Sequence, residues 1–155
     1  MGMQNLTTIV TDSELARLRA AYSSESLLAA NAGAFAEVYP RFAPWGETTG
    51  RLCFETSPLE ARDRELALIT LLAHRSPGLS MSNHVYWGLM EGLTVVEICE
   101  VVALVGCYCG LPTYTQGVLT LKRTLQTLQR LASEEDRTSL RVLAALVAEF
   151  ANERL

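Results

Sequence analysis

The chain is short of charge, of proline, and of the residues that build metal and redox centres. Only 19% of its residues are charged and five are proline, a composition well away from disorder or low complexity. No run approaches the roughly 18 consecutive apolar residues of a membrane span. The opening MGMQNLTTIVTDSE has no basic stretch followed by an apolar block, so it does not read as a secretory signal. A soluble, cytoplasmic protein is the expectation. The net charge is −4 with the signs interspersed, which leaves no basic face to track phosphates and argues against nucleic acid as a partner. Two histidines with neither HExxH nor CxxC argue against a zinc site, and neither metal nor cofactor is expected.

Cysteine is scarce too. Cys53, Cys99, Cys107 and Cys109 are too few and too apolar in setting to staple a chain of this length, so all four are expected as reduced thiols packed in the core. Cys107 and Cys109, two positions apart, would point to opposite sides of a helix and make no redox pair.

What is present is apolar residue at helical spacing. A chain of 155 residues with 49% apolar content can bury about two-thirds of its unfolded surface, enough for one domain over 1–155. Thr11 or Asp12 caps a first helix whose stripe is Leu15, Leu18 and Tyr22. A second is expected from Ser26 to Tyr39, stopped by Pro40, and a long loop follows around Trp45. Ser57-Pro58-Leu59-Glu60 reads as a capping box with proline in the first turn, opening a third helix to His74. Its apolar run from Leu66 to Ala73 suggests a helix surrounded by other helices. Pro77-Gly78 breaks the chain before a fourth helix, Ser80 to Glu91, closed by Gly92. Thr94 and Glu97 box a fifth helix to Gly110, Pro112 opens a sixth to Leu131, and Ser133 and Asp136 begin a seventh through Leu140, Leu146 and Phe150. No segment alternates like a strand. The fold class is all-α, with about seven helices.

A few polar residues interrupt this pattern. Glu65 and His84 sit on consecutive helices that the turn at Pro77-Gly78 can fold back on one another. A carboxylate accepting from one imidazole nitrogen sets the tautomer and leaves the other nitrogen as acid or base. The bland alternative pairs Glu65 with Arg62 or Arg64 and makes His84 a core histidine. Ser80, His84, Trp87, Gly88 and Glu91 share a helix face, a plausible wall for an apolar site with few polar anchors, although Ser80 can equally cap and Trp87 equally pack. His74, at a helix end beside Arg75, suits the helix dipole. Ser80, His84 and Glu65 also name a hydrolase triad, but no nucleophile elbow accompanies them.

Taken in order, these residues resemble the carboxymuconolactone decarboxylase family, which includes the alkylhydroperoxidase D-like proteins. The resemblance covers about Leu52 to Leu128 and rests on Arg62-Asp63-Arg64-Glu65-Leu66, His84-Val85, Gly92-Leu93-Thr94 with Glu97-Ile98 and Glu100-Val101, then Tyr108, Gly110 and Pro112. It implies an all-helical subunit assembling as a homo-oligomer, a trimer or hexamer, with sites near subunit contacts. Glu65 and His84 fall where the peroxidase-like branch keeps its proton-relay glutamate and histidine. That branch's two cysteines would fall at Pro77 and Ser80, so thiol peroxidase activity is not expected. Where the decarboxylase branch carries an acidic residue, this chain has Ser80, Met81, Ser82 and Asn83. The expected activity is that of a cofactor-free lyase acting on a small cyclic acid, lactone or polyketide-like compound by decarboxylation, dehydration, cyclisation or isomerisation. The residues assigned are His84 as general acid/base, Glu65 as its orienter, Ser80 and Asn83 as hydrogen-bonding groups, and Tyr86, Trp87 and Tyr108 as pocket walls. The alternative is a non-catalytic binding or scaffold protein of the same fold.

Overall fold

A computed structural model describes residues 5–25, 40–42 and 57–151, with the single positions Pro44, Thr48 and Arg51. The expected helix from Ser26 to Tyr39, the loop around Trp45 and Cys53 lie outside the described residues. Among those described, six α-helices and two 3-10 turns have both ends defined, Ser24 and Glu25 are also helical, and there is no strand. The helices are α1 (Asp12–Arg19), α2 (Ala61–Arg75), α3 (Leu79–Met90), α4 (Val95–Cys109), α5 (Leu111–Ala132) and α6 (Ser139–Phe150). The all-α class stands.

Local chemistry sets most of the ends. Thr11 and Glu14 form a reciprocal capping box on α1, as Thr94 and Glu97 do on α4. Hydrogen bonds from the backbone and hydroxyl of each threonine hold the Glu14 and Glu97 carboxyls below their ordinary values. Helix α3 ends in a Schellman-type turn: Gly92 takes φ +99° and the Leu93 N–H donates to the Gly88 carbonyl at 2.8 Å. Gly110, at φ +94°, separates α4 from α5.

Two expected starts move. Ser57 does not cap α2; its hydroxyl oxygen accepts from the Leu59 N–H, and the helix begins only at Ala61 with no side-chain cap. Such local bonding by serine competes with the helix for the same groups. Likewise Asp136 accepts from both the N–H and the hydroxyl of Thr138, so α6 begins at Ser139 while Ser133 closes α5. Helix α1 stops at Arg19, short of Tyr22.

The core forms where α2, α3, α4 and α5 meet. Leu121, Leu125, Leu128 and Leu131 give α5 one fully buried stripe, against Ile69 of α2, Val85 and Leu89 of α3, and Ile98 of α4. Helices α1 and α6 close the sides of α3 and α5. One polar contact is built into this core, where the Thr124 hydroxyl hydrogen-bonds both Ser82 Oγ and, within its own helix, the Thr120 carbonyl, each at 2.8 Å. Two expectations about the outer surface fail. Leu71 is 53% exposed, so α2 is not wrapped on all sides by described helices. Cys107 and Cys109 are also exposed, and only Cys99 is partly buried, because the last turn of α4 runs past the core.

Small residues permit the close approaches. A Cβ on Gly106 would lie 2.6 Å from the Tyr114 Cβ, an atom fixed to its own backbone. A Cβ on Gly88 would meet Leu93 Cδ1 at 2.6 Å and Ile69 Cδ1 at 3.2 Å, both ends of side chains that can turn. Alanine gains about 1 kcal/mol of helix propensity at either site, against roughly 1–3 kcal/mol for overpacking. Urea denaturation is therefore expected to place Gly88→Ala within about 1 kcal/mol of the parent, and Gly106→Ala clearly below it. The reverse ranking would contradict the packing.

Candidate active site

The turn at Pro77-Gly78 sends α3 back along α2, and the two helices pack closely at Gly88, where a Cβ would lie 3.4 Å from the Glu65 Cβ. This approach places His84 Nδ1 2.7 Å from Glu65 Oε2. The carboxylate is 1% exposed, so it cannot rely on water and needs partners that hold its charge. His84 engages one oxygen, and Arg64 Nε lies 3.7 Å from the other.

With Glu65 ionised, the hydrogen bond requires Nδ1 to carry the proton, which leaves Nε2 as the working nitrogen of a neutral ring. Among the described residues Nε2 has no hydrogen-bond partner. The imidazole retains 18% of its exposure, so one side of the ring is accessible. Trp87, one turn on, sets its ring edge-to-face against the imidazole, with centroids 4.9 Å apart at 82°. That contact limits ring rotation and makes the near wall apolar. The amide oxygen of Asn83, the preceding residue, is buried without a hydrogen-bond partner among the described residues, an arrangement that ordinarily costs about 1–3 kcal/mol.

The remaining sequence assignments separate in space. Ser80 is exposed and makes no hydrogen bond to His84 or Glu65. Tyr86 is fully buried on the other side of α3, where its hydroxyl donates to Ser139 Oγ at 3.3 Å; it is a core residue. Tyr108 is 89% exposed and lies with Leu71 and His74 on a separate surface groove. Helical spacing puts Ser80 in line with His84, but Ser80 is exposed while Met81 and Ser82 beside it are fully buried.

Tyr22 was not foreseen as part of this region. Burial first, then the charge and hydrogen bond of Glu91, push its hydroxyl well above the ordinary tyrosine value, with Glu65 adding to the effect. Its ring stacks edge-on against Tyr86 at 5.9 Å. The signal available in the sequence, an aromatic at the end of an apolar stripe, says only that it packs.

Among the described residues no three His, Cys, Asp or Glu side chains gather to hold a metal ion. No protein-family model, curated protein or solved structure matches this chain. In long-range proton–nitrogen spectra the neutral His84 ring is expected as the Nδ1–H tautomer. Glu65→Leu should return it to the Nε2–H form that free histidine prefers. An Nε2–H ring in the parent would mean that Glu65 does not orient it.

Proposed function

We propose that the chain is a cofactor-free acid/base enzyme of the carboxymuconolactone decarboxylase type, in which His84 Nε2 moves a proton to or from carbon and Glu65 holds the ring in register. The observation that carries this reading is the 2.7 Å bond from His84 to a carboxylate that is itself 1% exposed. A core histidine needs no buried charge beside it, whereas a general base gains from one that stabilises its imidazolium form.

The substrate class is a small acid, lactone or polyketide-like compound with a carbonyl beside the reacting carbon. In a decarboxylation the carbon–carboxylate bond breaks and carbon dioxide leaves, the bond's electron pair becomes an enolate, and His84, having taken a proton from water at Nε2, gives it to the carbon. Dehydration, cyclisation or isomerisation would use the same nitrogen first as base. Glu65 is a positioning residue, and Trp87 supplies the dry wall that strengthens both interactions. Ser80, exposed and apart, has no part in this scheme. Tyr86 and Tyr108 are left out for the same reason, one being core and the other remote. Assembly as a trimer or hexamer belongs to the proposal through the resemblance alone.

Mass spectrometry of carboxymuconolactone and a panel of β-keto and lactone acids, before and after incubation with the protein, tests the reading. Product formation should fall roughly 10²–10⁴-fold in His84→Gln, which keeps a donor for Glu65 but cannot exchange a proton near neutral pH. His84→Ala should be at least as inactive. Turnover undiminished in both variants would remove His84 from the chemistry, and no turnover on any substrate would favour a binding protein.

A further inference from the structure

The groove that holds Tyr108 lies outside the proposed chemistry and does not depend on it. It runs between α2 and α4 and has a volume of about 360 Å³, within the range of small-molecule sites. The two helices run parallel: Arg62 pairs with Glu97 near both starts, and His74, Tyr108 and Cys109 line the groove near both ends. Leu71, Leu104 and two valines make its walls. The hydroxyl of Thr70, also in the wall, is spent on the Leu66 carbonyl at 2.8 Å. An occupant therefore meets apolar surface along the groove and reactive side chains at one end only.

Three cysteines are free among the described residues, and they are not equivalent. Cys99 is partly buried, and burial first, then the charge of Glu100, pushes its thiol above the ordinary value, which leaves it little of the reactive thiolate. Cys107 is exposed but does not line the groove; two positions from Cys109 on the same helix, it projects in nearly the opposite direction. Cys109 alone of the three is both exposed and part of the groove. A thiol becomes a strong nucleophile once a neighbour takes its proton, and His74 stands at the same end of the groove to take it.

We propose that Cys109 is a self-acylating thiol, which accepts a medium-chain acyl group from an acyl thioester and lays the chain along the α2–α4 groove. The sulfur attacks the thioester carbonyl while His74 takes the thiol proton. The carbon–sulfur bond to the donor then breaks, and the donor leaves as a thiol carrying that proton. No oxidant or reductant is needed. The groove from Cys109 to Val101 follows about 12 Å of helix, a length that an acetyl group leaves empty and an octanoyl chain largely fills. The chain covers Leu71 and Leu104, which are otherwise 53% and 55% exposed, and each methylene that leaves water for the groove favours the complex that precedes transfer.

Intact-mass spectrometry and peptide mapping of the full chain incubated with octanoyl-coenzyme A or acetyl-coenzyme A test this, with far-UV circular dichroism as the check on folding. Octanoyl-coenzyme A should give one adduct, on Cys109 and not on Cys107, at least about tenfold faster than acetyl-coenzyme A. Cys107→Ser should leave that rate unchanged. His74→Gln should slow it about a hundredfold. Leu104→Gln, a neutral change at an exposed position, should bring the octanoyl rate toward the acetyl rate without altering the spectrum. Equal labelling of Cys107 and Cys109, equal rates for the two donors, indifference to His74→Gln or Leu104→Gln, or no adduct at all would each overturn the proposal. Turnover of the small acids and lactones is not the readout, so failure here leaves the acid/base reading standing.

Discussion

A buried carboxylate is the constraint on which this structure turns. Glu65 is almost wholly removed from water, and an ionised group in that position is tolerable only when other groups take over the work of hydration. His84 and Arg64 do so, but only because α2 and α3 lie close enough for a 2.7 Å bond. Gly88 packs against Glu65 where they meet, a Cβ there lying 3.4 Å from the Glu65 Cβ. The turn that ends α3 reinforces it by folding Leu93 back against the glycine.

Helix α3 is then held on its other sides by contacts of a different kind. Ser82 meets Thr124 of α5. Tyr86 reaches Ser139, which also accepts from the Ser23 N–H at 2.8 Å, and Arg19 donates to the Leu89 carbonyl near the helix end. Each bond is modest by itself, about 1 kcal/mol net. Together they fix the rotation of α3 about its axis, and that rotation aims His84 at Glu65 and Tyr86 away from it.

Much of the architecture was legible in residue order. The boxes at Thr11–Glu14 and Thr94–Glu97, the glycine ends at Gly92 and Gly110, and the leucine stripe of α5 are local signals, and local signals survive folding. The starts of α2 and α6 were misread where Ser57 and Asp136 bond to the chain two residues on, because the same residue types serve caps and turns. The pairing of Glu65 with His84 could be anticipated from the intervening turn. The positions of Ser80, Tyr86 and Tyr108 could not, since a helical wheel gives relative angles within one helix and says nothing of which neighbour covers which angle.

The sequence by itself determined the helical class, most helix boundaries and the identity of the two ionisable residues that break the apolar pattern. These follow from backbone hydrogen bonding and side-chain spacing over a few residues. Only the tertiary structure decided that Glu65 is buried, that Nδ1 of His84 faces it, that Tyr22 joins the region, and that the outer face of α2 and α4 stays open. Burial and dielectric environment are properties of everything that surrounds a group, and most of what surrounds these groups comes from distant parts of the chain.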